Sequence, residues 1–326
     1  MKRVAVAHPN IALAKYWGKR DRGRNIPAVP SLSVTLAGMT TTTSVEDADA
    51  DSFTLNGVLS SARPLERVLA MLDVLWREAG PTGQRPHVSV MSRNDFPTAA
   101  GLASSASAFA ALAVAADAFL ETNLGLARLS CIARRLSASA GRSLYGGFVE
   151  LSAGDSGTLE LAASPLAAAS HWDLRVIVAV TTEAQKEVGS TEGMNRTTAT
   201  SPLYEAWVNA APGIFARVRE AVLERDFGAL VGPVEQSALT MHACALAADP
   251  GLVYWNGTTV EVLRAVRELR REGLPVCFTI DAGPHVKILT PAVHETAVSD
   301  VIASLPGVLR TIAACPGEGA RLVGGA

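Results

Sequence analysis

Two repeats of apolar and polar positions run through this chain. Val4–Ala7, Ser31–Leu36 and Thr41–Val45 alternate or carry β-branched residues, which predicts short strands. From Pro64 to Gly80 the period changes. Leu65, Val68, Leu69, Leu72, Leu75 and Trp76 share one face, so this segment predicts a helix with Pro at its start and Gly just past its end. His87–Met91 is a further strand candidate. Asn94–Ser107 reads as a loop of small residues that runs into an Ala-rich helix, Ala106–Leu120. Leu174–Thr181 is an unbroken apolar run and predicts a buried strand. A capped helix over Thr259–Glu272 ends at Gly273, followed by strand Val276–Ile280, loop Asp281–His285 and strand Val286–Leu289.

Strands come in short groups rather than in strict alternation with helices, which predicts the α+β class in two domains. A dip in apolar content at Ala163–Ser170 sets the expected boundary, dividing the chain into 1–172 and 173–326.

Composition narrows the functional classes. With 326 residues, 48% hydrophobic and 18% charged, the chain can bury a large core. Lys+Arg total 29 against 31 Asp+Glu, a net charge of −2, which excludes a polybasic nucleic-acid binder. Cys131, Cys244, Cys277 and Cys315 form no CxxC pair, and the six histidines show no HxxxH or HExxH spacing. Neither a disulfide framework nor a metal site held by protein ligands is expected. No apolar run reaches the length of about 18 residues that spans a bilayer. His8, Pro9, Asn10 and Lys15 break any apolar leader, so a cytoplasmic protein without membrane partners is expected.

Four segments could carry chemistry. Pro97–Ser107 (PTAAGLASSAS) lacks the Walker lysine, but small residues before a helix N-terminus suit a phosphate. Plain helix capping reads equally well there. Asn10–Asp21 (NIALAKYWGKRD) offers Lys15 and Lys19 with two aromatics as a cationic wall, or a solvated basic turn. Ser137–Ser143 (SASAGRS) presents Arg142 among small polar residues, as an anion site or a polar loop. Asp281, in a Gly-Pro turn after an apolar strand, is a candidate base or a residue that bonds its own turn.

In combination, the series NIALAKYWGKRD, SLSVTL, FPTAAGLASSAS, SASAGRSLYGGF, GSTEGM and FTIDAGPHVKI closely resembles the diphosphomevalonate decarboxylases of the GHMP kinase superfamily. The resemblance runs from about Ala5 to about Leu289. It implies a ribosomal protein S5 domain 2-like N-terminal domain, a ferredoxin-like C-terminal domain and a homodimer. It also implies use of ATP and Mg²⁺ to convert mevalonate 5-diphosphate to isopentenyl diphosphate, CO₂, ADP and phosphate, through phosphorylation of the 3-hydroxyl.

The resemblance further implies roles by position. Asp281 matches the catalytic aspartate, Lys15 the lysine near it, and Ser104 the serine near the transferred phosphate. Asn10, Tyr16, Lys19, Ser137, Ser139, Arg142 and Ser190 match substrate positions. Ser92, Ala100, Gly101, Leu102, Ala103, Ser104 and Ser105 match nucleotide positions, with magnesium arriving on ATP rather than on a protein ligand set. Three residues depart from the pattern: Ala138 stands for Gly, His285 for Asn, and Thr191 for an arginine of some bacterial relatives. They bear on the length of the phosphate chain accepted, which keeps phosphomevalonate decarboxylase and mevalonate 3-kinase as alternatives. A non-catalytic binder, or a galactokinase- or homoserine kinase-like enzyme, is disfavoured by Asp281, Lys15 and the KYWGK and RSLYGGF segments.

Overall fold

The computed structural model describes residues 1–60, 62–80, 82–96, 104–155, 157–184 and 186–324. Eight strands come first: β1 (Lys2–Ala7), β2 (Asn10–Ala14), β3 (Lys19–Asp21), β4 (Ile26–Pro27), β5 (Ser31–Thr35), β6 (Thr41–Asp47), β7 (Ser52–Leu55) and β8 (Val58–Leu59). Helix α1 (Ala62–Glu78), strand β9 (Val88–Asn94), helices α2 (Ser104–Leu120), α3 (Gly125–Leu136) and α4 (Ala140–Ser143), and strands β10 (Phe148–Leu151) and β11 (Ser164–Ala167) follow. The second half holds β12 (Leu174–Val180), α5 (Ser190–Thr200), α6 (Tyr204–Glu224), α7 (Phe227–Leu246) and α8 (Gly257–Arg271). It closes with β13 (Cys277–Ile280), β14 (Val286–Pro291), α9 (Glu295–Ser304), β15 (Arg310–Ala314) and β16 (Arg321–Leu322).

A six-stranded sheet of order β16-β1-β6-β9-β7-β8 carries α1, α2 and α3. The apolar stripe of α1 lands as its period requires, with Val68, Met71, Leu72 and Leu75 buried. Helix α2 begins at Ser104, two residues earlier than expected, and its small alanines let it lie close on β1 and β6. A second sheet, β11-β10-β5-β2, sits between the halves, and a third has the order β13-β14-β12-β15.

Strand β12 shows why its sequence is apolar throughout. Val176, Val178 and Val180 face one cluster with Val218, Leu230 and Val234 of α6 and α7, while Ile177 and Ala179 face another with α8 and α9. The first of these clusters also takes Ile11 and Leu13 of β2 and Leu32 and Val34 of β5. Helices α6 and α7 are therefore held between the second and third sheets. Neither helix is predicted by the pattern, because Pro212 and Pro233 lie inside them. We propose the domain division after residue 172, in the connection between β11 and β12. Residues 321–322 then return across it, as β16, to pair with β1.

Candidate active site

Lys15 follows directly on β2, whose five residues are all buried. Its backbone N–H donates to Ser237 Oγ of α7 at 2.8 Å, which fixes where the side chain starts. Only 2% of that side chain is exposed, so the solvated-turn alternative for this segment fails. The ammonium lies 2.6 Å from Asp281 Oδ1. Asp281 occupies the turn between β13 and β14. Its carboxylate bonds across the cleft instead of to its own turn, where only its backbone oxygen accepts, from the Gly283 N–H at 2.7 Å. Lys287 of β14, fully buried, brings a second ammonium to 3.3 Å from Oδ2.

These charges set each other's protonation. Burial opposes ionisation of Asp281, but the two lysines outweigh it and hold the carboxyl below the usual carboxylate range. Burial pulls Lys15 down to about 8, against the pull of Asp281 and with help from Lys287 and Arg142. His242 of α7 and His285 beside the turn are held down to about 3, in both cases mainly by burial, and stay neutral. His285 is fully buried, and its Nδ1 accepts from the Thr181 N–H at 3.2 Å.

The Asp281 turn is braced from α8. Asn256 and Thr259 form a capping box at the start of that helix. Thr259 Oγ1 then donates to Pro284 O at 2.7 Å, and Thr181 Oγ1 to the same oxygen at 3.3 Å.

The segment 137–143 closes the other side. Ala140–Ser143 form a buried helical turn, not a polar loop. Arg142 is 2% exposed. Its Nε donates to Ser33 Oγ at 2.9 Å and its Nη1 to Ser31 Oγ at 2.7 Å. Ser31 and Ser33 stand two apart on β5, so their side chains share a face. Burial draws Arg142 down to about 10. Asn10 Nδ2 donates to Ser139 O at 2.9 Å and Ser143 Oγ at 2.7 Å, while its buried Oδ1 has no hydrogen-bond partner among the described residues. Tyr16 OH donates to Asn25 Oδ1 at 3.3 Å, and the Ser137 and Ser139 hydroxyls lie 3.2 Å apart.

A cavity of about 490 Å³ opens among these groups. Asn10, Lys15, Tyr16, Lys19, Ser104, Ser105, Ser137, Ser139, Arg142, Ser190 and Asp281 all border it, as do Ala138 and Thr191. The Ala138 side chain also packs with Val149, Leu151 and Ala163. A second cavity of about 170 Å³, mostly apolar, adjoins the first at Ser104, Ser105 and Arg67. Ser92 lies on this second cavity, 5% exposed, with its hydroxyl 3.0 Å from Thr43 Oγ1. Ala100, Gly101, Leu102 and Ala103 lie outside the described residues.

The family follows from comparison with known proteins. Residues 7–162 match the diphosphomevalonate decarboxylase-like N-terminal domain, and residues 176–314 match the mevalonate 5-diphosphate decarboxylase C-terminal domain. The diphosphomevalonate decarboxylase of Debaryomyces hansenii is 37% identical over 321 residues, covering 91% of this chain and 81% of its own. The chain belongs to the diphosphomevalonate decarboxylase family. A solved structure, MDDEF in complex with MVAPP, AMPPCP and magnesium, superposes with a TM-score of 0.90 at 35% identity, covering 99% of each chain. It shares the two-domain α+β fold. The phosphomevalonate decarboxylase of Haloferax volcanii is 36% identical over 307 residues, covering 93% of this chain and 92% of its own. The relatives of this chain thus include both a diphosphomevalonate and a phosphomevalonate decarboxylase.

Three cations at this site escape a reading of the sequence. Lys186 donates to Ser190 Oγ at 2.8 Å and to Ala282 O at 3.1 Å. Arg67 of α1 donates to Leu136 O at 2.8 Å and lies 4.5 Å from the centre of the Phe109 ring. Lys287 stands in a strand. Lys186 and Lys287 are isolated basic residues in their local sequence, and Arg67 shares its helix with Arg63 and Glu66, so their neighbours carry no sign of a shared cavity.

Proposed function

We propose that this chain catalyses the ATP-dependent decarboxylation of (R)-mevalonate 5-diphosphate to isopentenyl diphosphate, releasing ADP, phosphate and CO₂. One observation carries the reading. Lys15, Lys19, Arg67, Arg142 and Lys186 border one cavity with a single carboxylate, Asp281. Among the described residues no acid forms an ion pair with Lys19, Arg67, Arg142 or Lys186. Lys15 and Arg142 are buried, Lys19 and Lys186 are half-buried and Arg67 is exposed, and cations gathered round one cavity in this way are stabilised by an anionic ligand with several charges. A substrate with a carboxylate at one end and a diphosphate at the other meets that condition.

Tyr16, Lys19, Arg67, Ser137 and Ser139 take the diphosphate. Arg142, Asn10 and Ser190 orient the rest of the substrate, so that its 3-hydroxyl faces Asp281. The second cavity suits the adenine of ATP, its walls formed by Phe53, Leu55, Val68, Val90, Phe109 and Leu112 with Ser92 at the edge. Ser104 and Ser105, at the start of α2 and on both cavities, take the phosphates where the two cavities meet. Magnesium arrives on the nucleotide phosphates and neutralises their charge.

Phosphoryl transfer through a loose transition state asks more of positioning than of a strong base. Asp281, held ionised by two lysines, is a weak base and a good aligning group. It accepts the hydrogen bond of the 3-hydroxyl. When the new phosphate leaves, C3 becomes electron-deficient, and the same carboxylate stabilises it while the substrate carboxylate departs as CO₂. We also propose a cytoplasmic homodimer.

The test supplies purified protein with ATP, magnesium and, separately, mevalonate, its 5-phosphate and its 5-diphosphate. ADP and CO₂ in equal amounts only with the diphosphate is the expected result. The same products with the monophosphate alone would place the chain with the Haloferax enzyme, and ADP without CO₂ would make it a 3-kinase.

A further inference from the structure

Asp281 has two basic neighbours, and they differ in kind. Lys15 borders the cavity and reaches Oδ1. Lys287 is fully buried, does not border the cavity, and approaches Oδ2 from behind the turn. Its position follows from the strand. In β14, Val286 and Ile288 point into the cluster with α8 and α9, so Lys287 points to the opposite face. On that face its partner across β13 is Thr279, whose hydroxyl donates to Ala12 O of β2 at 3.1 Å. The strand that leads into Lys15 is thereby tied, through β13, to the strand that bears Lys287. Lys287 Nζ also donates to His285 O at 3.3 Å, within the turn it supports.

We propose that Lys287 is a positioning residue that holds the second carboxylate oxygen of Asp281, so that the carboxylate keeps its aim and charge when Lys15 changes its protonation. The proposal deepens the reading of Asp281 given above and rests on it. An anion paired with Lys15 alone would depend on a group that burial brings down to about 8, and would lose its only counterion in mildly alkaline conditions. The other charged or titratable groups facing this point do not replace Lys287. Arg142 of α4 is bound to Ser31 and Ser33, Lys186 to Ser190 and Ala282 O, and His242 of α7 and His285 are neutral. Arg310 of β15 is paired with Glu183.

The chain has only five lysines, at 2, 15, 19, 186 and 287, so their ε-carbons can be followed singly by NMR on lysine-labelled protein. The Lys15 signal is assigned with Lys15→Arg. Lys287→Met removes a cation that repels Lys15 and leaves Asp281 to Lys15 alone. Both changes favour protonated Lys15, so its midpoint should rise by about one pH unit. kcat should fall about tenfold or more, with KM for ATP little changed, and Lys287→Arg should restore both the midpoint and most of kcat. A structural role alone would lower stability without moving the Lys15 midpoint. If the Met variant does not fold, Lys287→Gln, which keeps a donor without charge, should give the same rise. An unmoved Lys15 midpoint in a folded, uncharged variant overturns the proposal, as does full kcat in that variant. The titration needs no substrate, so it stands or falls separately from the proposed reaction.

Discussion

Lys15 Nζ and Asp281 Oδ1 lie 2.6 Å apart, although 266 positions separate them in the chain. The contact joins the end of β2 in the second sheet to the β13–β14 turn in the third. It therefore depends on how α7 is packed between those sheets, and Ser237 of α7 receives the Lys15 N–H itself. Replacing Lys15 with Met should lower kcat by about a hundred- to a thousandfold, the usual effect of removing one charged partner from such a site. ATP binding, measured by calorimetry, should persist, because Lys15 does not line the second cavity. A Lys15→Met enzyme with near-normal turnover would remove the pair from the mechanism.

The same pair sets a pH limit. Lys15 is charged below about 8 and neutral above it. kcat/KM should accordingly fall as pH rises through about 8, while kcat, reporting the complex with an anionic substrate, should hold to higher pH. Asp281 is ionised across the neutral range, and His242 and His285 are neutral there. No acid limb from these three is expected between pH 5 and pH 7. A profile measured in buffers of constant ionic strength checks both limbs.

Ser33 holds Arg142 without touching the cavity. Ser33→Ala removes the partner of Nε and leaves the guanidinium held by Ser31 alone. KM for the mevalonate substrate should rise about tenfold, as for loss of one hydrogen bond to a charged group, with KM for ATP nearly constant. Ser33→Thr keeps the hydroxyl and should recover most of the loss. An equal rise in both KM values would point to a general loosening of β5.

Asn256 ties helix start to site. Asn256→Ala should cost about 1 kcal/mol of stability, as for other lost N-caps. It should also lower kcat, because Thr259 would lose its Asn256 contacts while still bonding Pro284 O. A thermal melt and a turnover assay on one preparation separate the two effects. A lower melting temperature with full kcat would show that the turn does not need the cap.

Where one face of an element meets solvent, its period is visible in the sequence, as in α1 and α8. Strand β12 is equally plain, because burial on both faces leaves an unbroken apolar run. Helices α6 and α7 are hidden by Pro212 and Pro233, which lie inside them and read as helix breaks, although Asp226 caps the start of α7. At the site, Asn10, Lys15, Arg142 and Asp281 are legible because they sit in compact, distinctive segments. Lys287 is not, since a lysine between apolar strand residues reads as a solvent-facing position, whereas here it is fully buried beside a carboxylate. Gly18 lies between. The KYWGK segment draws attention to it, but only the structure shows a φ of +98° and a Tyr204 hydroxyl where a side chain would begin.

The first sheet receives β16, and with it the Val323 N–H to Val4 O bond, from the far end of the chain. During synthesis β1 is made before β16, and this flank of it stays bare until the later strand has emerged. An uncovered strand edge invites pairing with a neighbouring chain. The fold thus leaves one adhesive margin open while the strands and helices between β1 and β16 are made, and β16 seals it.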